Sequence, residues 1–221
     1  MQKKKLWMIL GLVVFVSSTM LSVLKNHTFL ESVIKDPVQM GTIVPCSGFT
    51  GEELSRYVDQ NNKPNKILEA GGGSGAITEK IIKKLKPSDV LDVVEIDPNL
   101  CKILRDKFNS YKNVKIHCCS ITDYSSPYKY DYIISTLPFN AFKLDFVKQV
   151  RKKFEELVNT GGCLSYVEYT ISAWKQYLPF IKDKDIKGVV NYLSKDRSTH
   201  SAEKRIVWLN VPPTYVYHQR M

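Results

Sequence analysis

Hydrophobic and polar positions change period several times along the chain. Five short runs rich in apolar and β-branched residues read as strands: "NKILEA" (65–70), "DVLDVVEID" (89–97), "NVKIHCC" (113–119), "YDYIIST" (130–136) and "GCLSYVEYT" (162–170). Between them, "SGAITEKIIKKL", "PNLCKILRDKF" and "DFVKQVRKKFEELV" space their apolar residues three and four apart, which predicts helices. Pro98 suits the first turn of the second of these. Upstream, residues 27–65 read as a short helix, a proline-punctuated turn and a helix over "TGEELSRYVDQ", with Thr50 as N-cap and Glu53 completing a capping box. Downstream, "RIVWLNV" and "TYVYHQR" flank Pro212-Pro213 and suit an antiparallel edge. Strand–helix alternation with short connections predicts an α/β fold, a Rossmann-like doubly wound, mostly parallel sheet with an antiparallel C-terminal edge.

The N-terminus has no such alternation. After a triple lysine, residues Leu6 to Leu24 carry no charge. As a helix that run is about 28 Å long, close to the hydrocarbon thickness of a bilayer. It reads as a membrane anchor over residues 1–26, a single N-terminal transmembrane helix. A cleaved signal peptide is the competitor, since Leu6–Val16 is short and Ser18 is small. Lysines on both sides leave its orientation undecided. Residues 27–221 then form one catalytic domain, placed at a membrane in a compartment that supplies its cofactor.

Net charge changes the list of partners. The formal charge of +10 favours anionic partners, nucleic acid or acidic lipid, without choosing between them. The five cysteines show no CxxC pair, and His117 and His200 have no ligand spacing. Reduced, buried thiols and no metal are therefore expected.

Gly71, Gly73 and Gly75 fall where the first strand turns into its helix, a place where ligands approach the backbone of such sheets. The spacing alone fits a dinucleotide cradle. Glu69 argues otherwise. A carboxylate repels a pyrophosphate, but it attracts a sulfonium or an α-ammonium group, and S-adenosylmethionine carries both. Glu95 ends the second strand, where an acid accepts hydrogen bonds from ribose hydroxyls.

From about Phe29 onward the chain resembles the soluble-type bacterial phosphatidylethanolamine N-methyltransferases, class I S-adenosylmethionine-dependent enzymes related to the ribosomal RNA adenine dimethyltransferases. "FLESVIKDPVQMGTIVPCSGF", "ILEAGGGSGAITEKI" with "VVEID", "STLPFNAF" and "VWLNVPPTYVYHQR" carry the likeness. The resemblance implies a phospholipid substrate at a membrane surface. It implies cofactor contacts from Glu69, Gly71, Gly73, Gly75, Glu95, Ile96, Ser120 and Ile121. Ser120 stands where the family usually has an acid near the adenine amino group, and Asp123 is a possible substitute.

The methyl-transfer platform is expected at Ser135–Asn140. Pro138 should leave the carbonyls of Thr136 and Leu137 free for a substrate amine. Phe139 and Tyr169 are candidates to stack on adenine or to hold a methylated ammonium, or else pack in the core. The general base is left open among Glu168, His200 and water. In residues 143–157, a sheet-packing helix is expected, with Arg151, Lys152 and Lys153 able to meet lipid phosphates. Alternative acceptors are a protein lysine or an rRNA adenine. Thr136, standing where the RNA enzymes have asparagine, argues against nucleic acid. A non-catalytic, membrane-tethered S-adenosylmethionine-binding protein is the third reading.

Overall fold

A computed structural model of the protein describes residues 46–58, 62–169, 184–210 and 213–221. The proposed anchor and the helix expected near residue 30 lie outside them. Among the described residues no helix is long and apolar enough to cross a membrane.

Seven strands form one sheet in the order β3-β2-β1-β4-β5-β7-β6. They are β1 (Lys66–Ala70), β2 (Val90–Glu95), β3 (Val114–Cys118), β4 (Tyr130–Ser135), β5 (Val158–Tyr169), β6 (Ala202–Val207) and β7 (Thr214–Arg220). The first five run parallel, and β7 pairs antiparallel with both β5 and β6. The mostly parallel sheet and its antiparallel C-terminal edge are as the alternation predicts. Strand order reverses between β1 and β4, so the carboxyl ends of these two strands flank the crevice where ligands bind in such sheets.

Helices α1 (Gly48–Leu54), α2 (Ala76–Ile82), α3 (Pro98–Phe108), α4 (Leu144–Leu157) and α5 (Lys184–Thr199) are described beside it. Both faces of the sheet are covered by apolar clusters, one around Leu68, Ile133, Phe154 and Leu164, the other around Ile67, Leu91, Leu104 and Ile134. Helix α4 buries Val147, Val150, Phe154 and Leu157, the spacing of one helical stripe. Arg151 lies on that stripe too, fully buried and ion-paired with Asp196 of α5, so it is not a lipid contact.

Several local expectations are corrected. Helix α1 starts earlier than the capping pattern suggests. Ser47, not Thr50, is its N-cap and accepts the Thr50 amide at 3.3 Å. Glu53 forms no capping box and instead pairs with Arg56 and His218. Helix α5 has no counterpart in the periodic reading. The thiols are not all reduced, because Cys101 of α3 and Cys118 of β3 form a disulfide. Glu95 pairs with Cys118 in the sheet and α3 opens directly after it, which brings the two Cα atoms to 5.8 Å, within bridging range.

At the start of α2, Gly75 has φ +87°, and a Cβ there would sit 2.8 Å from Phe108 of α3. Gly75→Ala combines left-handed strain with overpacking. A loss of about 2–3 kcal/mol is expected in denaturant unfolding.

Candidate active site

The cradle is built by β1 ending in Glu69-Ala70 and turning through Gly71–Gly75 into α2. Gly71 has φ +87° and Gly73 φ +54°, a region that favours glycine. A Cβ on Gly71 would meet the Thr136 hydroxyl at 3.0 Å, whereas one on Gly73 would point into open space. Gly73 thus borders the hollow, and Gly71 is squeezed against the loop after β4. The Thr136 hydroxyl donates to the Gly71 carbonyl at 2.7 Å, and the Thr136 amide donates to Ala70, so the two loops are stitched together.

Glu69 is fully buried, and neither of its carboxylate oxygens has a hydrogen-bond partner. Its pKa is pushed up to about 8, chiefly by burial, against a pull from the nearby Thr78 hydroxyl, with the Glu95 charge adding a smaller push upward. The Thr78 hydroxyl, in the first turn of α2, is likewise buried without a completed hydrogen bond. Two orphaned buried oxygens on one acid are costly unless a donor or cation arrives. A positively charged group seated in the hollow would supply it.

Glu95 is more committed than the ribose reading supposed. One oxygen accepts the Ile96 and Asp97 amides at 2.8 and 3.0 Å, and the other accepts the Gly73 amide at 2.8 Å. Three of the roughly four acceptor positions of a carboxylate are therefore used to hold the glycine loop against β2. One remains for a hydroxyl. Ile96 next to it is 48% exposed, an apolar surface free to meet a flat ring.

Other expected contacts are corrected or narrowed. The Ser120 hydroxyl is engaged with Thr122 at 2.7 Å, inside its own turn. Asp123 is exposed beyond it. Ile121 is buried in the core cluster. Phe139, left open between a ligand contact and core packing, is 1% exposed and packs edge-on against Tyr166 at 5.7 Å. It is core. The Leu137 carbonyl accepts the Phe139 amide at 2.9 Å, so it is not left free by Pro138. Asn140, one residue on, does carry a buried side-chain oxygen with no partner. Of Tyr169 only the backbone is described, at the end of β5 beside Thr214.

The base candidates separate. Glu168 is ion-paired with Arg197, which also donates to the Tyr166 hydroxyl at 3.2 Å. Burial raises its pKa while Arg197 opposes the rise. His200 precedes β6, whose first residue pairs with Gln219, at the amino ends of the parallel strands and opposite the site. It is excluded by position. His117 pairs with Asp92 at 2.7 Å. Among the described residues no group of three or more His, Cys, Asp or Glu is placed to hold a metal. The orphaned hydroxyl of Thr78 escaped the sequence reading, because nothing in the helix pattern marks it as facing β1.

Comparison with known proteins fits this geometry. Residues 24–159 match the model of the family described as ribosomal RNA adenine dimethylase. The chain belongs to that family. A probable ribosomal RNA small subunit methyltransferase A of Methanosarcina mazei is 28% identical over 67% of this chain and 53% of its own. The chain spans about half the length of that relative. An ornithine lipid N-methyltransferase of Singulisphaera acidiphila is 21% identical over 63% of this chain and 75% of its own. Among solved structures, the O-methyltransferase from Bacillus cereus, in complex with S-adenosylhomocysteine, superposes with TM-score 0.65 at 14% identity, covering 92% of this chain and 91% of that one. The N-methyltransferase NodS of Bradyrhizobium japonicum gives TM-score 0.59 at 15% identity, over 77% and 93%. The fold and cofactor site are those of an S-adenosylmethionine-dependent methyltransferase.

Proposed function

We propose that the chain transfers a methyl group to an amine nitrogen, and that this amine belongs to a lipid headgroup such as that of phosphatidylethanolamine. The burial of Phe139 carries the choice. A nucleobase taken out of its stack needs an aromatic or apolar face to lie on. The aromatic ring in the loop after β4 offers none, since it is packed against Tyr166. The Thr136 hydroxyl is spent on Gly71 and lacks the paired donor and acceptor of a carboxamide. A small aliphatic amine needs only N–H acceptors, and the unpartnered Asn140 oxygen is one. The name of the Singulisphaera relative points the same way. Membrane association through residues 6–24 is part of this proposal.

When bound, S-adenosylmethionine supplies a methyl group on a sulfonium, ready for in-line displacement. The chain's own part is to neutralise, orient and exclude water. Glu69 offers its charge to the cationic end, and Thr136 holds the acceptor loop at a fixed distance from the glycines.

A second acceptor, the amino group of adenine in RNA, is favoured by the comparisons. The family description and the Methanosarcina relatives name RNA enzymes, and by names alone this acceptor stands ahead of lipid. The net charge of +10 also suits a polyanion. Expectations against a nucleic-acid partner are reversed to that extent.

Labelled S-adenosylmethionine offered side by side with phosphatidylethanolamine liposomes and small-subunit rRNA decides between them. Label is expected in the lipid fraction. Label in RNA alone would overturn the lipid reading in favour of the second.

A further inference from the structure

Four large apolar side chains crowd one spot on the surface. Trp208 is 73% exposed, Leu209 63%, Phe49 58% and Ile206 43%. They line one open cleft with Arg56 and Lys84. Scattered apolar residues on a surface are ordinary, but a contiguous patch of this kind marks an interaction site.

The patch is held rigidly. Asn210, in the turn after β6, is fully buried. Its side-chain oxygen accepts the Ser47 amide at 2.8 Å and the Thr50 hydroxyl at 3.0 Å, while its amide donates to Thr214 at 2.7 Å. The tip of the β6–β7 hairpin is thereby locked to the start of α1. That keeps Trp208 and Leu209 outward beside Phe49.

Register places the patch on the same rim as the cradle. Val207 pairs with Thr214, and Thr214 pairs with Tyr169, the last residue of β5. The parallel strands β1 and β4 end on that side, in Ala70 and Ser135. β6 lies three strands from β4, roughly 14 Å at the usual inter-strand spacing.

We infer that this patch seats the protein on a bilayer containing anionic lipid, with the mouth of the cradle turned toward the headgroups. Trp suits the boundary between headgroups and acyl chains, and Leu and Phe suit the layer beneath. The charges agree. In the cleft lining, Glu52 and Glu53 offset Arg56 and Lys84, and Lys80 pairs with Glu52, so no acidic excess opposes an anionic surface, and the whole chain carries +10. The inference gives the lipid-amine reading its geometry and rests on it, but it is measured separately.

The test uses the full chain carrying Trp7→Phe and Trp174→Phe, so that only Trp208 emits. Vesicles are phosphatidylcholine with about one quarter phosphatidylglycerol, with or without brominated acyl chains. Trp208 emission is expected to shift to the blue and to be quenched by the bromines. Leu209→Glu and Phe49→Glu are each expected to weaken that signal at least tenfold in lipid concentration, because each replaces an inserted apolar side chain with a charge. Binding of S-adenosylmethionine should be unchanged in both variants.

Co-sedimentation with vesicles without any change in Trp208 emission would overturn the inference, because the N-terminal run alone would then hold the protein. A blue shift that grows with protein concentration in the absence of vesicles would also overturn it, assigning the patch to a second copy. Quenching here, with no label in the phosphatidylethanolamine liposomes of the acceptor assay, leaves the docking surface standing and sinks the lipid acceptor. Label without quenching does the reverse.

Discussion

Glu69→Gln is expected to weaken S-adenosylmethionine binding at least about a hundredfold at pH 8.5, the scale of removing a charge-assisted hydrogen bond from a dry site. The carboxyl is fully buried with a pKa near 8, so at lower pH it holds a proton that a bound cation must displace. Each unit below that pKa should cost about tenfold in affinity. Calorimetric titration from pH 6 to 9 should therefore show affinity climbing about a hundredfold up to pH 8 and then levelling, a profile the glutamine variant lacks. Stability runs the opposite way. The folded carboxyl has a pKa about 8 against 4.5 in the unfolded chain, so the folded state holds the extra proton between those values. Stability is then fully present below about pH 4.5 and declines as pH rises toward 8. The ligand-free wild type should lose up to roughly 5 kcal/mol over that window, and Glu69→Gln should not follow this slope. A flat binding profile in the wild type would remove Glu69 from the cation's neighbourhood.

That acid was legible because local chemistry conflicts with local pattern: a strand-end carboxylate sits in front of glycines that otherwise suit phosphate. The sheet was legible for a similar reason. β1, β2 and β4 are apolar on both faces, and Pro98 and the glycines mark where helices begin. What failed depended on tertiary neighbours. Phe139 follows a proline in a loop, which left a ligand contact and core packing both open, and Tyr166 from the adjacent strand packs it into the core. Cys101 and Cys118 are separated by 17 residues and meet only because β2 and β3 are neighbours. Helix α5 was missed because its stripe is weak. Val189 and Leu193 are its buried apolar anchors, and much of its attachment runs instead through the polar residues Asp196 and Arg197. For Glu95 the strand-end position was legible, but not that backbone amides of its own turn and of Gly73 share its oxygens with any ribose.

The polar attachment of α5 gives the largest expected loss of stability. Arg151 is fully buried, with Nε and Nη1 unpartnered. Its remaining nitrogen donates to Asp196 of α5 and to the Gln219 side chain at 2.8 Å, and its guanidinium lies 5.3 Å from the Tyr166 ring. Asp196→Ala removes the only carboxylate paired with it among the described residues and strips Gln219 of an acceptor at 3.0 Å. A buried charge left uncompensated costs about 3–5 kcal/mol, a large fraction of the stability of one domain. Denaturant unfolding should show that loss. The paired change Arg151→Met with Asp196→Leu, which removes both charges while keeping volume, should recover most of it. The site should register the same event. Tyr166 is shared between Arg151 and Phe139, and Phe139 anchors the loop that carries Thr136 and Asn140. At a temperature where the Asp196→Ala protein remains folded, kcat should fall more than S-adenosylmethionine affinity, because the cradle of Glu69 and Gly73 lies on β1 and the turn after it, where Glu95 of β2 holds the glycine loop without help from the acceptor loop. Equal losses in both would mean that the acceptor loop and the cofactor cradle move as one piece.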